Sequence, residues 1–135
     1  MPQLLKHEQS TRLTSLLSPF AKNSRTHSDA QVQQVVKSIS EWGFTNPVLI
    51  DENNTVIAGQ CRLLAANELG IDELPVVVLK GLSDAQRRAY VIADNKLALN
   101  AGWDLDLLCE EFEALKVDDF NLELTGFSIE ELCQI

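Results

Sequence analysis

The chain is short of the residues from which most metal and nucleophile centres are built. Its 135 residues include two histidines, His7 and His27, and three cysteines, Cys61, Cys109 and Cys133. No paired-histidine metal motif and no convincing Ser-His-Asp arrangement can be assembled from so few. The cysteines are odd in number, far apart and never spaced C-x-x-C. That argues against a disulfide framework or a zinc site, and for a reducing compartment. No run approaches about eighteen apolar residues, and the opening MPQLLKHEQSTR lacks the apolar core of a secretory leader. The expectation is a cytoplasmic protein with no membrane partner. Bases are nearly missing from the last quarter. Residues 101–135 hold ten acids and one base, Lys116, whereas residues 1–100 hold ten of each. The whole net charge of −9 therefore sits at the C-terminal end. Such a face repels phosphate backbones, so DNA is expected as an indirect or weak partner at most. It is either a solvated acidic surface or a docking face for a basic partner.

What is present is ordinary for one globular domain, with 45% apolar and 23% charged residues. Residues 1–12 are polar and aperiodic, and predict a flexible lead-in. Leu13–Leu17 suggests a short strand. Ser28 and Asp29 open a helix that carries Val32, Val35, Val36, Ile39 and Trp42 at helical spacing, with Gly43 as its stop. Pro47–Ile50 and Thr55–Ala58, joined by the turn Asp51–Asn54, read as a hairpin. A helix follows from about Gln60 to Gly70, then the strongest strand, Leu74–Leu79. The Ser83–Gln86 capping box opens a helix to about Leu99. Asp104 caps another through Leu115, and Ser128–Glu131 opens a short last one. The order describes a small α/β core over residues 13–99 with an acidic helical C-terminal part over 100–135.

Three polar clusters stand out. At Ala58-Gly59-Gln60-Cys61-Arg62 a strand delivers the chain to a glycine, and a helix leaves it. Helix N-termini offer free N–H groups to an anion, glycine permits close approach, and Arg62 adds a charged fork. The same spacing also suits a plain tight turn with a surface arginine. Asp94-Asn95-Lys96 interrupts an apolar helix. Asp94 and Asn95 suit a hydrated magnesium ion and Lys96 a phosphate, or the three form a solvated face with Asn95 as a local cap. Asn23-Ser24-Arg25-Thr26-His27 precedes the first helix. Arg25 and His27 are anion-ligand candidates there, and nothing local decides their role.

These clusters fall within five ordered segments, NSRTH, SISEWGFTNPVLID, VIAGQCRLLAANELG, LPVVVL and AQRRAYVIADNKLALNAGWD. Together, over about Leu13–Glu131, they resemble the ParB/sulfiredoxin superfamily, most closely the ParB-like "nuclease" domains associated with phage and bacterial DNA methyltransferases. The resemblance implies a small mixed-sheet α/β fold and a pocket for a nucleoside triphosphate such as CTP or ATP, with a magnesium ion. In partition proteins a G-x-R-R segment holds the triphosphate, and Gly59 and Arg62 match its first and last positions. Asp94 and Asn95 resemble the acid–amide pair of a downstream phosphate and magnesium segment, and Arg25 the arginine of an early P-x-R segment. The phosphate set implied is Arg25, Gly59, Gln60, Cys61, Arg62, Asn95 and Lys96, and the metal set Asp94 and Asn95.

The departures bear on activity. Gln60-Cys61 stands where partition proteins have Glu-Arg, removing a contributor to hydrolysis and a phosphate contact, so binding is expected more than turnover. The sulfiredoxin cysteine would align with Gln60, which argues against peroxiredoxin repair. Cys61, at a helix start, is either a thiol of lowered pKa or an inert small hydrophobe. The helix-turn-helix and dimerisation domains of partition proteins are not expected to fit in this chain. The reading is thus a nucleotide-binding domain acting in DNA modification, partition or phage DNA handling, at most a weak triphosphatase. The alternatives are a regulatory module of a partner or fused methyltransferase with a vestigial pocket, and a metal-dependent nuclease. A homodimer remains open.

Overall fold

The structure is a computed structural model, and it describes residues 7–20 and 27–133. A five-stranded mixed sheet runs in the order β1-β5-β3-β4-β2, from β1 (His7–Leu13), β2 (Ser18–Pro19), β3 (Val48–Ile50), β4 (Thr55–Ala58) and β5 (Glu73–Leu79). β5 pairs antiparallel with β1 and parallel with β3, while β4 is antiparallel to β3 and parallel to β2. The mixed α/β sheet is the fold that the sequence implied.

Strand alternation explains the layering. Val48, Ile50, Val56, Leu74, Val76 and Val78 point to one face, where they pack against Leu63 and Ala66 of α2 (Gln60–Leu69). α1 (Asp29–Trp42) lies against α2 through Val32, Cys61 and Ala65. Ile57 and Leu79 on the other face meet Val91 of α3 (Asp84–Asn100), with Leu49, Val77 and Tyr90 around them. The sheet is thus covered on both sides.

Local signals account for the helix bounds. Ser28 and Ser83 accept from the backbone N–H of Gln31 and Gln86, and Ser83 forms a full capping box. Asp104 caps α4 (Leu105–Val117) by accepting from Leu107, and Ser128 accepts from Glu131 ahead of α5 (Ile129–Cys133). Buried Asp51 organises the β3–β4 turn. Its Oδ1 accepts from the backbone N–H of Asn53 and Thr55 at 2.8 and 3.0 Å, and its Oδ2 lies 3.6 Å from Arg87 of α3.

The N-terminal reading needs correction. Residues 7–12 are not a loose lead-in but most of β1, an edge strand paired along its length with β5. Leu13–Leu17 is not a strand either. Leu13 ends β1, and Thr14–Leu16 form a 3-10 turn fixed by Thr14, whose N–H and hydroxyl donate to the carbonyls of Asp72 and Ile71. β1 escapes detection because all its side chains are exposed or half-buried, leaving no apolar alternation to read.

Candidate functional site

The antiparallel β3–β4 pair determines where the site lies. Leu49 pairs with Ala58, so the residues entering β3 stand beside those leaving β4. Gly59 follows Ala58 with φ +95° and ψ 27°, a left-handed conformation that turns the chain straight into α2. It has no side chain with which to cap the helix, and its carbonyl accepts the first intrahelical bond, from the N–H of Leu63 at 3.0 Å.

Arg62, one turn on, folds back over this glycine. Its Nη2 donates to the Pro47 carbonyl at 2.9 Å, while its buried Nε has no hydrogen-bond partner among the described residues. Burial pushes the guanidinium below its usual pKa, with the Asp94 carboxylate and then Cys61 pulling the other way. A helix start, a cation and a buried donor unsatisfied among the described residues therefore converge. That is the chemistry of an anion seat.

Arg62 also borders an open cleft of about 420 Å³. One wall is α1, with Gln34, Ser38 and Trp42. Another is the loop Gly43–Asn46, and the third is Leu124–Gly126. Among the described residues that line it, Arg62 alone is charged, and the others offer amides, hydroxyls and apolar surface. They suit the neutral part of a ligand whose anionic end sits at Arg62.

The other candidates divide. Gln60 is half-buried in the first turn of α2. The Cys61 side chain packs between α1 and α2, so that only its backbone belongs to the turn. Burial raises its pKa despite nearby Arg62, which favours the inert small hydrophobe over a thiol of lowered pKa. Asp94 is exposed on α3, near enough to influence both Arg62 and Tyr90. Asn95 donates through Nδ2 to the Val91 carbonyl at 2.8 Å, a bond within its own helix that leaves Oδ1 as an acceptor. Lys96 is exposed. Arg25 lies outside the described residues, as do Asn23, Ser24 and Thr26. His27 stands at the start of α1 with Nδ1 3.3 Å from Gln31 Oε1. Among the described residues no group of three His, Cys, Asp or Glu side chains is disposed to hold a metal, and no helix is long and apolar enough to cross a membrane. Sequence reading missed Gln34, Ser38, Thr45, Asn46 and Gly126, of which only Thr45 and Asn46 left a signal, as the polar pair before Pro47.

The mixed sheet, with a glycine–arginine turn at the start of α2, has a ParB/sulfiredoxin-like fold. The family model described as the ParB N-terminal domain matches residues 6–96, and the chain belongs to that family. A second, the ParB-methyltransferase HTH domain, matches residues 106–135. This corrects the expectation that no helix-turn-helix fits. The expectation rested on surface acidity, whereas the helices α4 and α5 both fall within the matched residues.

The chain is 56% identical to the ParB-like nuclease domain-containing protein YnaK of Escherichia coli K12 over 72 residues, 53% of this chain and 83% of that protein. It is 28% identical to the nucleoid occlusion protein of Bacillus cereus over 71 residues, half of this chain but only 24% of that protein. The C-terminally truncated chromosome-partitioning protein ParB of Caulobacter crescentus, complexed with CTP-gamma-S, is similar in fold. Its TM-score is 0.74 at 20% identity, covering 90% of this chain and 72% of that one. Sulfiredoxin of Arabidopsis thaliana aligns with 62% of this chain and 97% of its own, at TM-score 0.51 and 17% identity.

Proposed function

We propose that this is a nucleotide-binding ParB-type domain acting in DNA modification, partition or phage DNA handling. One observation carries the reading: the buried Arg62 Nε, unpartnered among the described residues, beside the glycine turn that opens α2. The ligand's phosphates sit on the N–H groups of Gln60–Arg62 and on the Arg62 fork, and its neutral part lies along α1. The Asp94 carboxylate and the Asn95 Oδ1 offer oxygen donors that suit magnesium carrying its own waters and the phosphates. When bound, that ion would screen the phosphate charge beside Asp94. Arg25 and Lys96 complete the proposed phosphate set. Gln60 supplies no carboxylate, so the reading is of binding rather than turnover. A nuclease is the weaker reading, because metal-dependent cleavage needs converging carboxylates. Thermal unfolding with CTP, ATP and GTP, each with magnesium, tests the proposal. At least one should raise Tm in a concentration-dependent way, and no shift at millimolar concentration rejects it.

A second reading has its own support. The outer face of α4 carries exposed Leu107 and Val117 among Asp106, Glu110, Glu111 and Glu113. A face of this kind suits docking to a basic surface of a DNA-modifying protein, with the pocket vestigial. Nucleotide affinity abolished by Arg62→Ala speaks against it.

A further inference from the structure

The two edges of the sheet are built differently. β2 closes one side with two residues, one of them Pro19, which lacks the N–H that a further strand needs. β1 closes the other with seven, free of proline and paired residue for residue with β5. Among the described residues no strand pairs with its outer side. Every second residue there leaves an N–H and a C=O without a ladder partner. A long, unbroken edge accepts another strand unless its side chains prevent it.

The side chains of β1 suit one partner, a second copy of this chain. Alternation puts Glu8, Ser10 and Arg12 on one face, beside Val78, Val76 and Leu74 of β5, and His7, Gln9, Thr11 and Leu13 on the other. Two copies meeting edge to edge in one antiparallel sheet are related by a two-fold axis normal to it. Such an axis passes through a single residue and pairs only residues of the same face. With the axis at Ser10 the whole strand pairs: His7 with Leu13, Glu8 with Arg12, Gln9 with Thr11, and Ser10 with itself. This is the one register that sets Glu8 against Arg12, and symmetry makes it do so twice. The smallest side chain of the strand falls on the axis. Moving the axis by one residue leaves Ser10 opposite Glu8 or Arg12, and no charge is matched.

Both charges stand at the edge. Glu8 is 53% exposed and held by Lys80. Arg12 lies along its own strand, donating to the Ser10 hydroxyl and, at 3.1 Å, to the Thr11 carbonyl. In the joined sheet Glu8 sits between Lys80 of its own chain and Arg12 of the second copy. We propose that β1 is a self-docking edge, through which two copies join antiparallel into one ten-stranded sheet. The contact lies three strands away from β4 and the Gly59–Arg62 turn that follows it, so it is independent of the nucleotide reading. It is small, so the dimer is weak and forms at high protein concentration.

Sedimentation equilibrium of the nucleotide-free protein, at concentrations up to about 1 mM, tests the proposal. The proteins compared are the wild-type chain, Glu8→Arg, Arg12→Glu and the variant carrying both changes. Each single change sets like charges against each other twice and should weaken the dimer about five- to thirtyfold, the range that two cross-strand charge pairs set. The double variant should associate like wild type. So should an equimolar mixture of the two single variants, since one strand then carries two positive charges and the other two negative ones. Recovery in that mixture also excludes misfolding as the cause of the single losses. In the wild-type chain, amide exchange of residues 8–12 should slow as concentration rises. A wild-type chain that stays monomeric overturns the proposal. So does association that the single changes leave unaltered, which places the contact on another surface, such as the exposed Ile92, Leu97 and Leu99 of α3.

Discussion

The Arg62 guanidinium lies so close over Gly59 that a Cβ on the glycine would stand 2.7 Å from Nη2, the nitrogen that donates to Pro47. The two residues are one device. The glycine makes the left-handed turn and leaves room for the arginine, and the arginine ties that turn to the start of β3. Gly59→Ala meets both constraints at once. It is expected to cost about 1–2 kcal/mol for a non-glycine residue at this φ and to push the guanidinium off Pro47. Urea unfolding measures the loss, and unchanged stability would mean that the turn does not need glycine.

Arg62→Ala trades opposing effects. It loses a hydrogen bond worth about 1 kcal/mol, but it also removes a buried donor without a partner and a cation disfavoured by the helix dipole. Stability of the ligand-free protein should stay within about 1 kcal/mol of wild type by calorimetric unfolding. A loss above about 3 kcal/mol would make Arg62 a structural residue.

Cys61 predicts a pH dependence. Burial raises its thiol pKa in the folded state, so the native protein holds that proton more tightly than the unfolded chain. The resulting stability is fully present below the ordinary thiol range and is lost as pH rises through the higher folded value. Tyr90 is shifted the same way, by burial and then Asp94, and adds to the alkaline loss. Denaturation midpoints should fall with alkaline pH, less steeply in Cys61→Ala. In thiol-reagent kinetics at neutral pH, half-buried Cys109 should react before buried Cys61.

Deletion of residues 1–12 tests β1. It strips the edge of β5 and leaves a row of unpaired backbone groups beside Val76 and Val78. A loss of about 2–4 kcal/mol and a tendency to associate are expected, since several ladder bonds at roughly 1 kcal/mol each are removed. Light scattering and thermal unfolding read both effects. A flexible lead-in would be removed without consequence.

Legibility followed the range of the interactions. Ser28, Ser83, Asp104 and Ser128 are caps acting within three residues, and Gly43, Gly59 and Gly70 punctuate the chain locally, so the helices were readable. The turn at Gly59 was readable for the same reason, being a single strand–Gly–helix turn. Long-range features were hidden. β1 exists because β5 needs a partner some 60 residues away, and nothing in HEQSTRL announces it. The cleft joins Gln34, Asn46, Arg62 and Gly126, which only the tertiary fold brings together. Nor does sequence spacing reveal that Arg62 is held by Pro47, since that contact depends on the β3–β4 register.

The central claim is that a nucleotide's phosphates sit on the Gly59–Arg62 turn, and isothermal titration tests it most directly. CTP, ATP and GTP, each with magnesium, are titrated into the wild-type chain and into Arg62→Ala. Binding of at least one nucleotide is expected, weakened in the variant by about 1.5–3 kcal/mol, the scale of a charge-assisted hydrogen bond. Equal affinities in the two proteins, or no heat from any nucleotide at millimolar concentration, would contradict it.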